Sequence, residues 1–159
     1  MKIGLILALL LFPIASAISD TTPPSIISFD FEPKVVDVSR SDQTITITAQ
    51  LEDNLSGVWN MGAGSSPSQV AFTSPSGEVS ISAAFWVNHY LVSGGMLNGT
   101  YKDNMTLPQY SETGKWHIIS CLLIDNVGNR ESLNETEMKR LGFPTVIEVK
   151  SWMCFGKST

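Results

Sequence analysis

The sequence predicts an all-β domain, an antiparallel β-sandwich, and three observations carry that prediction. Gln43 to Leu51 alternates strictly, with Ile45, Ile47, Ala49 and Leu51 on one face and Thr44, Thr46, Thr48 and Gln50 on the other. Period-two alternation with β-branched residues describes a strand with one face on a core and one in water. Gly, Pro, Ser and Asn clusters then recur between short apolar runs, and helical periodicity is nearly absent. Short strands with regular turn punctuation point to two stacked sheets rather than an α/β fold.

Each element follows from local pattern. Ser25 to Phe31 is read as a strand with Ile27, Phe29 and Phe31 on one face, and Lys34 to Val38 as a short edge continuation after Pro33. Gln69 to Phe72 and Glu78 to Val87 form a hairpin about the turn Ser74-Pro75-Ser76-Gly77. Gly99 to Leu107 is a further strand, closed by Pro108. Lys115 to Ile124 is apolar on both faces, so it is either central in its sheet or carries a bulge that switches faces. Trp116, on that strand, is the expected central core aromatic. Glu135 to Leu141 reads as a short helical stretch and Pro144 to Lys150 as the last strand.

The N-terminus sets the compartment. Met1-Lys2, an apolar run from Ile3 to Ile14 and Ala15-Ser16-Ala17 have the parts of a secretory signal peptide, with cleavage expected after Ala17. The run is shorter than the roughly 20 residues of a membrane span. The expected organisation is signal peptide 1–17, extended leader 18–24, β-sandwich 25–150 and C-terminal tail 151–159, secreted or at the cell surface, with no membrane insertion of the mature chain. Ten Lys and Arg against fifteen Asp and Glu give a formal charge of -5, which argues against nucleic acid and anionic membranes as partners. The expected partner is a protein or carbohydrate at the cell surface. Export permits a disulfide between Cys121 and Cys154. The alternative is that Cys121, inside a strand, is a small buried apolar residue.

Four segments in order give the chain a family likeness: Asp20-Thr21-Thr22-Pro23-Pro24, Leu51-Glu52-Asp53-Asn54-Leu55-Ser56-Gly57-Val58, Tyr110-Ser111-Glu112-Thr113-Gly114-Lys115-Trp116, and Asp125-Asn126-Val127-Gly128-Asn129. With them the chain resembles the bacterial and archaeal immunoglobulin-like (Big-type) modules of secreted and cell-surface proteins. The resemblance implies an immunoglobulin-like sandwich and a role as spacer, stalk, adhesive unit or accessory domain.

Catalysis finds little support. His89 and His117 are the two histidines, and neither stands in a recognisable nucleophile or metal motif. The chain is therefore read as a non-enzyme, with no cofactor required. Calcium is the candidate ligand. If the chain start and the loops after Leu51 and Ile124 share one end of the sandwich, Asp20, Asp53 and Asp125 meet there with Asn54, Asn126 and Asn129 nearby, which is oxygen chemistry suited to calcium. The competing reading is that these are ordinary turn residues bonding their own backbone. Asn54, Asn98, Asn104 and Asn134 each begin an Asn-x-Ser/Thr sequon, so each is a candidate glycan site in an exported chain. A glycan on Asn54 would compete with calcium for space. Trp86 and Tyr90 are the candidate ligand-binding aromatics of a carbohydrate-binding accessory domain, provided their rings are exposed rather than covered by sheet packing.

Overall fold

Alternation builds the first sheet. The computed structural model describes residues 19–59 and 67–151; the proposed signal peptide, most of the tail and Cys154 lie outside them. In β3 (Gln43–Glu52), Ile45, Ile47, Ala49 and Leu51 are fully buried and the threonines point away. β3 lies between β1 (Ser25–Glu32) and β7 (Asn98–Leu107), and β7 carries the short β6 (Leu91–Gly94). This sheet runs β1-β3-β7-β6, antiparallel throughout.

The second sheet takes the order β2 (Val35–Asp37), β10 (Val146–Lys150), β8 (Gly114–Ile124), β4 (Ser68–Thr73), β5 (Ser80–Phe85). β2 and β10 are parallel and the other neighbours antiparallel. The inner faces of the two sheets share one core. Phe31 of β1 meets Phe72 of β4 with ring centroids 5.3 Å apart and planes at 82°, and Phe85 of β5 meets Tyr101 of β7 at 6.3 Å. Such edge-to-face pairs bring rings of opposite sheets together in the geometry the aromatic quadrupole favours. The chain is thus an all-β fold of two layers.

Two bulges change which residues face inward. In β1 the register slips between Ile26 and Ser28. Ile26, Phe29 and Phe31 are buried, while Ile27 is 48% exposed, which corrects the expected Ile27-Phe29-Phe31 face. In β8, Ile118 opposes Phe72 and Ser120 opposes Ala71, leaving Ile119 as the extra residue. Trp116 and Ile118 face the core before it, Cys121 and Leu123 after it, and Ile119 is exposed. One inserted residue moves every following side chain to the other face, so the doubly apolar pattern of β8 is that of a bulged central strand.

Trp116 is 1% exposed. Its Nε1 donates to the Glu112 carbonyl at 2.8 Å, and the Glu112 carboxylate accepts from Ser76 N and Oγ at 3.0 and 2.6 Å. The start of β8 is thereby tied to the β4–β5 turn.

The other edge of β8 is shared. β9 (Arg130–Leu133) pairs with Cys121 to Ile124, and β10 with Gly114 to His117. Between them the chain leaves the sheet as α2 (Glu135–Arg140). Asn134 caps α2 in a capping box with Glu137, and Met138 plugs the core with no exposure. Glu135 Oε1 accepts from His117 Nδ1 and Lys139 Nζ at 2.8 Å and from Thr145 Oγ1 at 3.1 Å, which ties the excursion to β8.

The expected strand Glu78 to Val87 is shorter than its pattern suggests. It ends at Phe85, and Val87–Tyr90 forms a single helical turn, α1, closed by Tyr90 N donating to Trp86 O at 2.9 Å. β6 and β9 have no counterpart in the sequence reading. Both are four residues long and mostly exposed, too short to present an apolar alternation.

Candidate metal centre

One end of the two layers gathers the leader and two loops. β3 runs out at Glu52, and the next residue turns its side chain back on its own loop. Asp53 Oδ1 accepts from the amides of Leu55, at 3.0 Å, and Gly57. Gly57 adopts φ +85, and a Cβ there would meet Met96 Cγ at 2.9 Å, so glycine satisfies both the turn and the close approach. β8 ends in the same way. Asp125 Oδ1 accepts from the amides of Val127, Gly128 and Asn129 at 3.0, 2.6 and 2.8 Å, and Oδ2 from Asn129 Nδ2 at 2.6 Å. Gly128 supplies the φ of +99 that closes this loop.

The two loops are stitched together by backbone. Val58 and Asp125 form an isolated bridge, Asn126 N donates to Gly57 O at 3.0 Å, and Trp59 N to Ile124 O at 2.9 Å. The β6–β7 turn closes the far side through Asp53 N to Leu97 O and Val58 N to Met96 O, both 2.8 Å. The leader joins the two loops through Asp20. Asp20 Oδ2 accepts from Ser56 N at 2.8 Å, and Oδ1 from Thr22 N at 3.1 Å. Hydrogen bonding to Ser56 first and to Thr22 second holds the Asp20 carboxyl below its ordinary value, against a smaller opposing effect of desolvation.

The outcome is a cluster of three carboxylates. Asp20, Asp53 and Asp125 each present an oxygen, and these atoms lie within 4.8 Å of one another. Asp53 is 5% exposed and Asp125 fully buried. None of the ion pairs among the described residues joins any of the three to Lys, Arg or His. Asp53 Oδ2 is buried with no hydrogen-bond partner among the described residues.

The asparagines act differently from the acids. Asn126 Nδ2 donates to Ser56 O and Gly57 O at 2.8 and 3.1 Å, and Asn129 Nδ2 donates to Asp125. Asn54 Nδ2 donates to Thr22 Oγ1 at 2.6 Å. In this arrangement all three hold the rim by N–H donation. Ser56, whose amide fixes Asp20, was not among the expected site residues. Its only sequence signal is its place before Gly57 in the turn.

Residues 18–151 match the family described as domain of unknown function DUF7743. The chain belongs to that family. No curated protein and no solved structure matches it. The matched span includes the leader with Asp20 as well as both acidic loops.

The remaining candidate residues lie elsewhere. Trp86 and Tyr90 are half-buried. Trp86 stands edge-to-face against Trp59, His89 and Tyr90, with centroids 5.6, 5.2 and 6.0 Å away and planes within a few degrees of perpendicular. Its Nε1 is buried without a partner among the described residues. Tyr90 also packs on the core. Asn98 and Asn104 are exposed on β7, where their Oδ1 atoms accept from Gln50 Nε2 and Thr46 Oγ1 at 3.0 and 2.8 Å. Asn134 is exposed and uses its Oδ1 as the α2 cap. Cys121 is a fully buried free thiol, which desolvation pushes up to about 12.

A shallow depression of about 480 Å³ lies at the outer side of the first sheet, lined by Asp30, Phe31, Glu32, Thr46, Thr48 and Lys102. Its two carboxylates are engaged by Lys34 at 2.7 and 2.8 Å.

Proposed function

We propose that the chain is a non-catalytic module of immunoglobulin-like β-sandwich type that is exported and serves as a structural or binding unit outside the cell. The observation that carries the reading is strand order. Immunoglobulin sheets run A-B-E-D on one side and C-F-G on the other. Naming β1, β3, β7 and β6 as A, B, E and D makes the first sheet the former, and β10, β8, β4 and β5 then read G-F-C-C′. The Trp116 indole bonding back to the carbonyl of Glu112 at the start of β8 supports the same reading. It occupies the place where immunoglobulin-type domains carry a tyrosine corner. A G strand split into β9 and β10 by α2 is this chain's departure from that pattern.

Two further observations favour a non-catalytic role. His117 Nδ1 is engaged by Glu135, whose Oε1 also takes Lys139 and Thr145, an arrangement suited to bracing α2. The carboxylates of the outer depression are held by Lys34. The carbohydrate-binding alternative has weaker support, because sugar stacking needs an open aromatic platform, whereas Trp86 and Tyr90 are half-buried, Trp86 against Trp59 and His89, and Tyr90 against the core.

Export is tested by expressing the full chain with a C-terminal tag, then fractionating and shaving the cells with protease. The tag is expected in the medium or on the protease-accessible surface, on a chain beginning at Ile18. A cytoplasmic chain retaining Met1 would refute the proposal.

A further inference from the structure

We infer that the rim binds one calcium ion through the carboxylates of Asp20, Asp53 and Asp125, and that the ion clamps the N-terminal leader to the two loops. Three acids in proximity would not by themselves carry this. The deciding observation is at Asp53, a side chain 5% exposed. Its Oδ1 is spent on its own loop, while its Oδ2 is buried and has no hydrogen-bond partner among the described residues.

An unpartnered buried carboxylate oxygen loses its hydration and gains nothing in return. Here Asp53 is one of three aspartates that each present a carboxylate oxygen within 4.8 Å of the others, where like charges repel. No basic side chain relieves them among the described ion pairs. A divalent cation answers both problems at once, since it neutralises the cluster and supplies a partner for the orphaned oxygen.

The donor set selects the ion. All three side chains offer oxygen, which disfavours zinc and other metals that prefer nitrogen or sulfur. Calcium accepts six to eight oxygens in loose geometry and readily takes backbone carbonyls and water alongside carboxylates. Magnesium demands a near-ideal octahedron and keeps most of its water, which suits poorly a cluster in which two carboxylates are buried. The three ligands come from three separate pieces of chain, namely the leader, the loop after β3 and the loop after β8. Asp20 alone has no strand to hold it, and its contacts are the Ser56 amide and its own neighbour Thr22. The ion would therefore act chiefly on the leader, converting a hydrogen-bonded arm into a coordinated one. The site does not depend on where the chain works, although millimolar extracellular calcium would suffice for a site of modest affinity.

The test uses the full mature chain, prepared with chelator and titrated with calcium chloride. Calorimetry is expected to give one site. The melting temperature should rise by about 5 to 10 °C at a calcium concentration one hundred times the dissociation constant. Cleavage between Ile18 and Ser25 by a non-specific protease should slow at the same calcium concentration. Asp53→Asn keeps the Oδ1 acceptor and removes the charge at the orphaned oxygen. It is expected to melt no lower than the parent in chelator, yet to lose the calcium response at least tenfold in affinity. If Asp53→Asn does not fold, Asp20→Asn gives the same readout from the leader. Absence of heat and of any melting shift at millimolar calcium overturns the inference. So does an equal shift with magnesium chloride, or undiminished calcium binding in the variant tested.

Discussion

Replacing Asp125 by alanine separates the architectural work of the rim from any ligand. Asp125 is fully buried, and one of its oxygens accepts three backbone amides while the other accepts the Asn129 side chain. Hydrogen bonds to a charged acceptor contribute about 1.5–3 kcal/mol each when one partner is removed from a buried setting. The three amides are part-buried, so water recovers some of that loss, and about 3 kcal/mol in total is the expected cost of Asp125→Ala. For a domain of this size that corresponds to a fall in melting temperature of about 10 °C. Urea unfolding should be followed in chelator, so that no cation contributes. The midpoint should fall with an unchanged slope, because the surface exposed on unfolding is the same. A loss below about 1 kcal/mol at the same slope would refute the argument that this side chain organises the loop.

Three other predictions rest on separate parts of the fold. Trp116→Phe removes the bond to Glu112 and part of the indole volume, and should cost about 2 kcal/mol by the same urea assay. Burial raises Glu135, but hydrogen bonds from His117, Lys139 and Thr145 and the attraction of His117 outweigh it and hold the group down to about 2, against an ordinary 4.5. A folded value below the unfolded one means a contribution present above about pH 4.5 and lost as pH falls towards 2. Acid melting of Glu135→Gln should therefore show a shallower decline than the parent over that window, and an identical acid limb would contradict the assignment. Cys121, buried and with its thiol raised to about 12, should resist iodoacetamide in the native chain and react fully in denaturant. Peptide mapping distinguishes it from Cys154, and rapid native labelling at Cys121 would contradict its placement in the core.

The fold was legible where pattern and geometry share one period. Gln43 to Leu51 alternates without interruption, and its four apolar residues are the four that are buried. Where a residue is inserted, alternation misleads. Reading Ser25 to Phe31 by period two places Ile27 inside, but the slip after Ile26 turns it out. No local chemistry announces such a bulge, because the partner strand fixes the register. In β8 the same event was visible as an apolar run too dense for one face, although the inserted residue could not be told apart from its neighbours. β6 and β9 were silent because a strand of four exposed residues has no inward face to declare it. At the rim, the meeting of Asp20, Asp53 and Asp125 followed from placing three loops at one end. The roles of the asparagines did not, because an amide side chain offers donor and acceptor alike and only the neighbouring carbonyls decide which is used.

The two buried acids of the rim also show why turn chemistry and ligand chemistry need not be rival accounts of the same residue. Asp53 and Asp125 both direct Oδ1 at the amides of their own loop, as Asp does in any tight turn. An asparagine would serve that role through the same oxygen, without adding a further charge to the rim. The second oxygens tell the residues apart. At Asp125 it accepts the Asn129 amide, so the side chain is satisfied within the chain. At Asp53 it is buried and partnerless, a cost that the loop alone does not require. Buried polar groups without partners are uncommon in native folds and concentrate where something other than stability has been selected. The excess charge at Asp53, beyond what its turn needs, is therefore a feature of the rim that local folding does not explain.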